Sequence, residues 1–227
     1  MQTASEKTRM MRPAIVLGMM SLLLSACGAI PDGRGGQAQR PSPSAGIGAF
    51  DPSPSARQCF SDLGKANVRF SPLPNRHFGG GCSQIDSIKL LDVGADVTNL
   101  GPVKCELAGK FAAWTEYAVK RAARQYLGSD LKRIETMGSY SCRNISGSGK
   151  LSEHAHANAI DVSAFVLADG RRITVENNWK SGHREMQFLA AIHDSACKRF
   201  GTVLSPNYNA AHRDHFHLDM SGNGYCR

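Results

Sequence analysis

The sequence predicts an α+β fold, a small antiparallel sheet carrying a ligand site, flanked by two longer helices and braced by disulfides. Three observations predict it. Residues 159–165 and 215–220 alternate apolar and polar side chains, as half-buried strands do. Residues 106–127 and 183–200 repeat apolar side chains at three- and four-residue steps, and glycines, Gly128 and Gly201, end the two runs. Six cysteines, from Cys59 to Cys226, are enough for three cross-links in an exported domain.

The front of the chain carries the case for export. Lys7, Arg9 and Arg12 precede an apolar run, AIVLGMMSLLL at 14–24, followed by Ser25-Ala26-Cys27. A spanning helix needs about 20 apolar residues, so the pattern describes an export signal. Cysteine directly after Leu24-Ser25-Ala26 resembles a bacterial lipobox, which makes Cys27 the expected lipidated N-terminus. An ordinary signal peptide or an uncleaved anchor is the competing reading. The expected organisation is a lipoprotein signal peptide at 1–26, a Gly/Pro/Ser-rich flexible tether at 27–57, and a domain at 58–227. The tether has too few apolar residues to order itself. The protein is expected in the cell envelope, lipid-anchored to a bacterial membrane, facing the periplasm, with the outer membrane as the favoured address.

The formal net charge is +8, and the leader contributes part of it. A basic exported chain is attracted to anionic wall or lipid surfaces. A plain solvated surface explains the charge equally well, because no basic run is longer than pairs such as Arg171-Arg172. Nucleic acid is excluded as a partner, since no binding motif is present and the compartment is wrong. The sequence is silent on oligomeric state.

Within the domain, VRF at 68–70 and IDSIKLL at 85–91 read as short strands, with a loop between them that leaves His77 on the surface. In the helix at 106–127, Leu107, Phe111, Trp114, Ala118 and Ala122 share one stripe, which makes Trp114 a core residue. Residues 131–140 read as a strand into a turn, followed by Arg143 and a Gly/Ser-rich loop at 144–150 that forms a rim or an ordinary loop. The strand through Asp161 runs to Leu167, and Ala168-Asp169-Gly170 turns it back into RRITV as a hairpin. Trp179 falls in a loop placed to line a cleft. The helix at 183–200 is expected to bury Met186, Leu189, Ala196 and Phe200, with His193 as a packed histidine on that side. Local closure suggests Cys59–Cys82 and Cys197–Cys226, leaving Cys105–Cys142. A cysteine zinc site is not expected, because no Cys-x-x-Cys pair occurs.

Chemistry concentrates in LSEHAHANAID (151–161) and HRDHFHLD (212–219). Strand alternation aims Asp161 away from the apolar layer, and His154 lies in the loop leading into that strand. His215 and His217 project from one side of the second strand, Phe216 and Leu218 from the other. If the two strands are neighbours, two imidazoles and a carboxylate meet. That is a normal ligand set for a catalytic zinc, which keeps a fourth position open for water. His154, Asp161 and His217 are therefore expected to hold zinc, with His215 acting on the water. His156 offers an alternative partner in a His154-Ala155-His156 pair. His212 either orients the water, contacts substrate or is an ordinary loop histidine. Asp214 or Asp219 is placed to steady a ring nitrogen. Arg143 is suited to a peptide carboxylate or an oxyanion, and a structural salt bridge is the competing role.

Ser152-x-His154, Ala159-x-Asp161 and the distant His215-x-His217 resemble the zinc peptidase superfamily of lysostaphin, D-Ala-D-Ala carboxypeptidases and hedgehog. The triplet His212, His215, His217 is most similar to the penicillin-insensitive murein endopeptidase branch. Over residues 57–227 the chain also resembles the bacterial extensin-like C-terminal domain family, through GSYSCR (138–143), LSEHAHANAID and HRDHFH. The resemblance implies zinc ligands at His154, Asp161 and His217 and a catalytic histidine at His215. It favours His154 over His156, because only His154 follows Ser152 and precedes Asp161 at the matching gap. Tyr140-Ser141-Cys142-Arg143 is similar to the Ser-Gly-Tyr-Arg segment of the carboxypeptidases, whose arginine faces the substrate. Two features depart from the pattern. Ala157 stands where those peptidases usually carry glycine, and no Glu-x-x-His segment supplies a glutamate base. The implied function is a zinc-dependent amide hydrolase acting on peptidoglycan peptides, as endopeptidase or carboxypeptidase. A non-catalytic wall-binding or envelope scaffold lipoprotein is the alternative. A non-haem iron oxygenase ranks last, since the His-x-Asp spacing of many such sites is absent.

Overall fold

A computed structural model describes residues 50–227. The expected leader, the expected lipidation site Cys27 and most of the expected tether lie outside the described residues. The first helix, α1 (Pro54–Lys65), starts where Ser53 Oγ accepts from the Ala56 N–H and Pro54 supplies a preset φ. Its first turn thus takes up the last residues of the stretch read as tether. Short strands follow: β1 (Arg69–Pro72), β2 (Arg76–His77), β3 (Ser83–Gln84), β4 (Ser87–Asp92), β5 (Asp96–Thr98) and β6 (Val103–Lys104). A long helix then runs in four pieces: α2 (Cys105–Trp114), a π-helical stretch Thr115–Val119, α3 (Lys120–Ala122) and a second π-helical stretch Ala123–Leu127. Gly128 ends it in a left-handed conformation. The chain continues through β7 (Leu131–Gly138), β8 (Ala159–Leu167), β9 (Arg172–Thr174), α4 (Val175–Asn178), α5 (His183–Cys197), β10 (Thr202–Leu204), β11 (Phe216–Asp219) and β12 (Tyr225–Cys226).

The fold is mixed α/β, and the sheet departs from the expected small antiparallel one. The main sheet has seven strands in the order β12-β10-β11-β8-β7-β5, with β9 also pairing β8. Two of its pairs, β5–β7 and β10–β12, are parallel. These edge strands are two or three residues long, too short for alternation to announce them. A three-stranded sheet β1-β4-β6 and the ribbon β2-β3 complete the strands of the described residues.

The core lies between β8 and the helices. Trp114 is fully buried, and its indole N–H donates to the Ile192 carbonyl of α5 at 2.9 Å. Its ring edges against Phe165 of β8, which also meets Phe188 of α5. Val162, three residues before Phe165, pairs with Phe216, whose ring meets His193 of α5. Strict alternation would put residues three apart on opposite faces. The register shift between Glu135 and Thr136 of β7 lets both face the helices.

The buried stripe of α5 is Phe188, Leu189, Ile192 and Ala196, while Met186, expected inside, is exposed. The stripe is centred between Phe188 and Leu189, and Met186 lies at its edge in the first turn of the helix, where it stays exposed. The cysteine pairing is also corrected. The bonds are Cys59–Cys105, Cys82–Cys142 and Cys197–Cys226, so only the last matches the pairing by local closure. Cys59 sits on α1, which packs against α2 where Cys105 begins it. Tertiary packing, not separation along the chain, chose that partner. No helix among the described residues is long and apolar enough to cross a membrane.

Candidate metal centre

The site grows from the register of two neighbouring strands. β8 and β11 pair antiparallel with His217 directly opposite Asp161. Opposed residues share a face and stand about 5 Å apart at Cβ, so carboxylate and imidazole meet without any long reach. His217 Nδ1 lies 2.9 Å from Asp161 Oδ1. His215 precedes β11 on the same side, with Nε2 3.6 Å from that oxygen.

His154 arrives from a 3-10 turn, Glu153–His156, capped at its start by the Ser152 hydroxyl. Ala157 closes the turn at φ 52°, a left-handed conformation that favours glycine. Backbone bonds fasten this turn to the segment after β7. The Ser141 N–H donates to the His154 carbonyl, and the Ser152 N–H to the Arg143 carbonyl. His154 Nε2 thereby comes 3.1 Å from Asp161 Oδ2 and 3.2 Å from His217 Nδ1. The three ligand-type atoms all lie within 4.8 Å of one another.

The outer ring nitrogens decide what the inner ones offer. His154 Nδ1 lies 3.2 Å from the Ser139 carbonyl oxygen, which can only accept, so Nδ1 carries the proton. His217 Nε2 lies 2.9 Å from Asp219 Oδ2, and donates to it. In each neutral ring the remaining lone pair then points inward, beside the Asp161 carboxylate. Three electron-pair donors facing one point repel unless a cation lies among them. The residues thus fit a divalent metal, with Nε2 of His154, a carboxylate oxygen of Asp161 and Nδ1 of His217 as donors.

The electrostatics agree. Burial pushes Asp161 up, but its contacts with His154 and His217 outweigh that and hold it far below the usual carboxylate range. Burial pushes His217 down, yet hydrogen bonds to Asp161 and Asp219 raise it to about 9. Without a metal, a proton on His217 supplies positive charge where two carboxylates converge.

The other expected residues surround this cluster. His215 Nδ1 pairs with Asp214 Oδ1 at 2.8 Å, so both acidic residues named from the sequence contact a site histidine. His212 is held by Asn209 Oδ1 at 2.7 Å, and its ring stands 5.1 Å from that of His215. Burial and the neighbouring histidines lower His212 to about 4. The Arg143 side chain is exposed, bonded among the described residues only to the Asn144 carbonyl, and near enough for its charge to act on His212. His156 turns to Ser83 Oγ, away from the cluster. His77 is exposed, as expected. Trp179 packs against His193 and Phe216, and its indole N–H donates to Asn207. The Ser139 carbonyl went unforeseen, since a backbone group has no signature in sequence. Asn209 was foreseeable as a turn residue three positions before His212. A groove of about 820 Å³ along α1 and α2 shares no residue with this cluster.

Fold and site define a disulfide-braced, mixed α/β protein with two imidazoles and a carboxylate converging on its central sheet. The chain belongs to the family described as Extensin-like protein C-terminus, which it matches over residues 57–227. No curated protein and no solved structure matches it.

Proposed function

We propose that the protein is a zinc-dependent amide hydrolase acting on peptidoglycan peptides, as endopeptidase or carboxypeptidase. The observation that carries this reading is the donor set, since His154 and His217 each have the outer nitrogen tied to an acceptor and the inner one aimed at Asp161. Zinc bound there would act as a Lewis acid and lower the pKa of a water toward about 7. The likeness of the Ser-x-His, Ala-x-Asp and His-x-His segments to the zinc peptidases supports the same assignment. The lipobox-like leader supports a wall-facing address and an anchor at Cys27.

The chain's own groups perform the proton work. Asp214 fixes the His215 ring through Nδ1, leaving Nε2 turned toward Asp161. His215 takes a proton from the attacking water and returns it to the amide nitrogen as the C–N bond breaks. His212, neutral at neutral pH, orients water by accepting or donating one hydrogen bond. Arg143, exposed and lightly bonded, meets the substrate carboxylate or the developing oxyanion. Water and amide become one carboxylic acid and one amine.

The test combines metal content with peptide release from purified sacculi. Wild type should carry zinc and release peptides. His215→Ala should keep its zinc and lose release by about 100-fold or more. Iron in place of zinc points to the oxygenase class. Full zinc with no release by wild type leaves a scaffold and sinks the hydrolase reading.

A further inference from the structure

A second cluster lies behind β11, on the helix side of the sheet. α5 presents His193 and Cys197 one turn apart on one face, and β12 brings Cys226 against both. Cys197 Sγ lies 3.9 Å from His193 Nε2, and Cys226 Sγ lies 3.8 Å from the same nitrogen. The three donor atoms fall within 4.8 Å of one another. His193 Nδ1 lies 3.7 Å from Asp194 Oδ1 and 3.9 Å from Cys197 Sγ, so that sulfur is equidistant from the two ring nitrogens and only Cys226 singles out Nε2. The ring is clamped between Trp179 and Phe216, with centroids 5.4 Å and 5.6 Å away.

Those distances can be set against a metal's demands. Tetrahedral zinc, with bonds of about 2.3 Å to sulfur and about 2.0 Å to nitrogen, holds its ligand atoms about 3.5–3.8 Å apart. Both nitrogen-to-sulfur edges nearly have that length already. Only the sulfur-to-sulfur edge is wrong, because the cysteines are bonded to each other. With Cα atoms 5.6 Å apart, side-chain rotation is enough to separate the two sulfurs once that bond is cut.

We propose that His193, Cys197 and Cys226 form a Cys2His site for a soft or borderline divalent cation, zinc above all, whenever this disulfide is open. A dithiol reductant supplies two electrons and two protons, breaks the S–S bond and becomes a disulfide itself. The cation then displaces both thiol protons, forming two metal–sulfur bonds and one metal–nitrogen bond, with a fourth position left to solvent. Thiolate sulfur selects a cation of this class. The site joins the same two elements that the disulfide joins, α5 and β12. A chain whose cysteines are not yet oxidised therefore keeps this brace behind the strand that carries His215 and His217. This site shares no residue with the His154 cluster and does not depend on the hydrolase reading.

The experiment is a cobalt titration of the full chain, before and after treatment with a dithiol. Tetrahedral thiolate–cobalt absorption should be absent from the oxidised protein and appear on reduction, with Cys197 and Cys226 protected from alkylation by the metal. The His154 cluster has no sulfur and cannot give that signal. The Cys197→Ser/Cys226→Ser double variant, reduced in parallel, should lack the signal although five other cysteines remain. Removing an outer partner of a ligand costs about 10- to 100-fold in affinity, so His193→Gln, which loses a ligand itself, should weaken the sulfur site by at least about tenfold. Survival of the band in the double variant, or unchanged affinity in His193→Gln, overturns the proposal. So does a reduced chain that gives no band at all, since the proposal requires the fold to keep these ligands together.

Discussion

Ala157 holds a left-handed backbone, φ 52° and ψ 28°, at the exit of the turn that presents His154. An L-residue pays about 1–2 kcal/mol for that conformation, which glycine escapes. Glycine here would lose a buried methyl worth about 0.8 kcal/mol and add about 0.5–1 kcal/mol of chain entropy. The effects nearly cancel, so Ala157→Gly should unfold within about 0.5 kcal/mol of wild type. Ala155 is equally buried, in the same turn, and has no positive φ. Ala155→Gly has no strain to relieve and should lose about 1–2 kcal/mol. Denaturant midpoints at a common slope compare the two, and equal losses would refute the strain argument. The departure from glycine noted in the sequence therefore leaves the turn's shape intact, with its backbone strain offset by the buried methyl and the stiffer unfolded chain.

At the scale of elements, the turn between α5 and β10 depends on Gly201. A Cβ there would collide with the backbone of Met220 and Ser221. The Gly201 N–H also donates to the Asp219 carbonyl, and Asp219 steadies His217. Gly201→Ala should cost about 2–4 kcal/mol and disturb the His217 ring, visible as a shifted imidazole resonance. A wild-type-like midpoint and spectrum would contradict that packing. Sequence periodicity had marked this glycine only as a helix stop, and α5 in fact ends at Cys197. The alternation of 159–162 did reveal which way Asp161 faces, although it breaks before Phe165. Helical spacing failed for Met186, and local closure failed for two of the three cysteine pairs. Those depend on which element packs against which, and no local pattern encodes that choice.

Across the molecule, charge pairs tie strands that are distant in sequence, and acid should loosen them. Glu135 of β7 bonds Arg172 of β9 at 2.8 Å and Arg133 at 3.0 Å. Burial pushes its carboxyl up, but the two guanidinium groups prevail and hold it below the ordinary value. Its contribution is full above the unfolded-state value and fades as pH falls through the lowered folded one. Glu135→Gln should be less stable than wild type by about 0.5–1 kcal/mol near pH 7, and the gap should close in acid. A gap that persists at pH 2 would assign the loss to packing instead. One further consequence follows from His217 lying opposite Asp161 in the β8–β11 ladder. Sliding either strand by a single residue would send one of the two donors to the far side of the sheet. On the proposed function, cation uptake by a refolding chain would be a stopwatch for correct strand alignment, because misaligned molecules cannot assemble the donor trio.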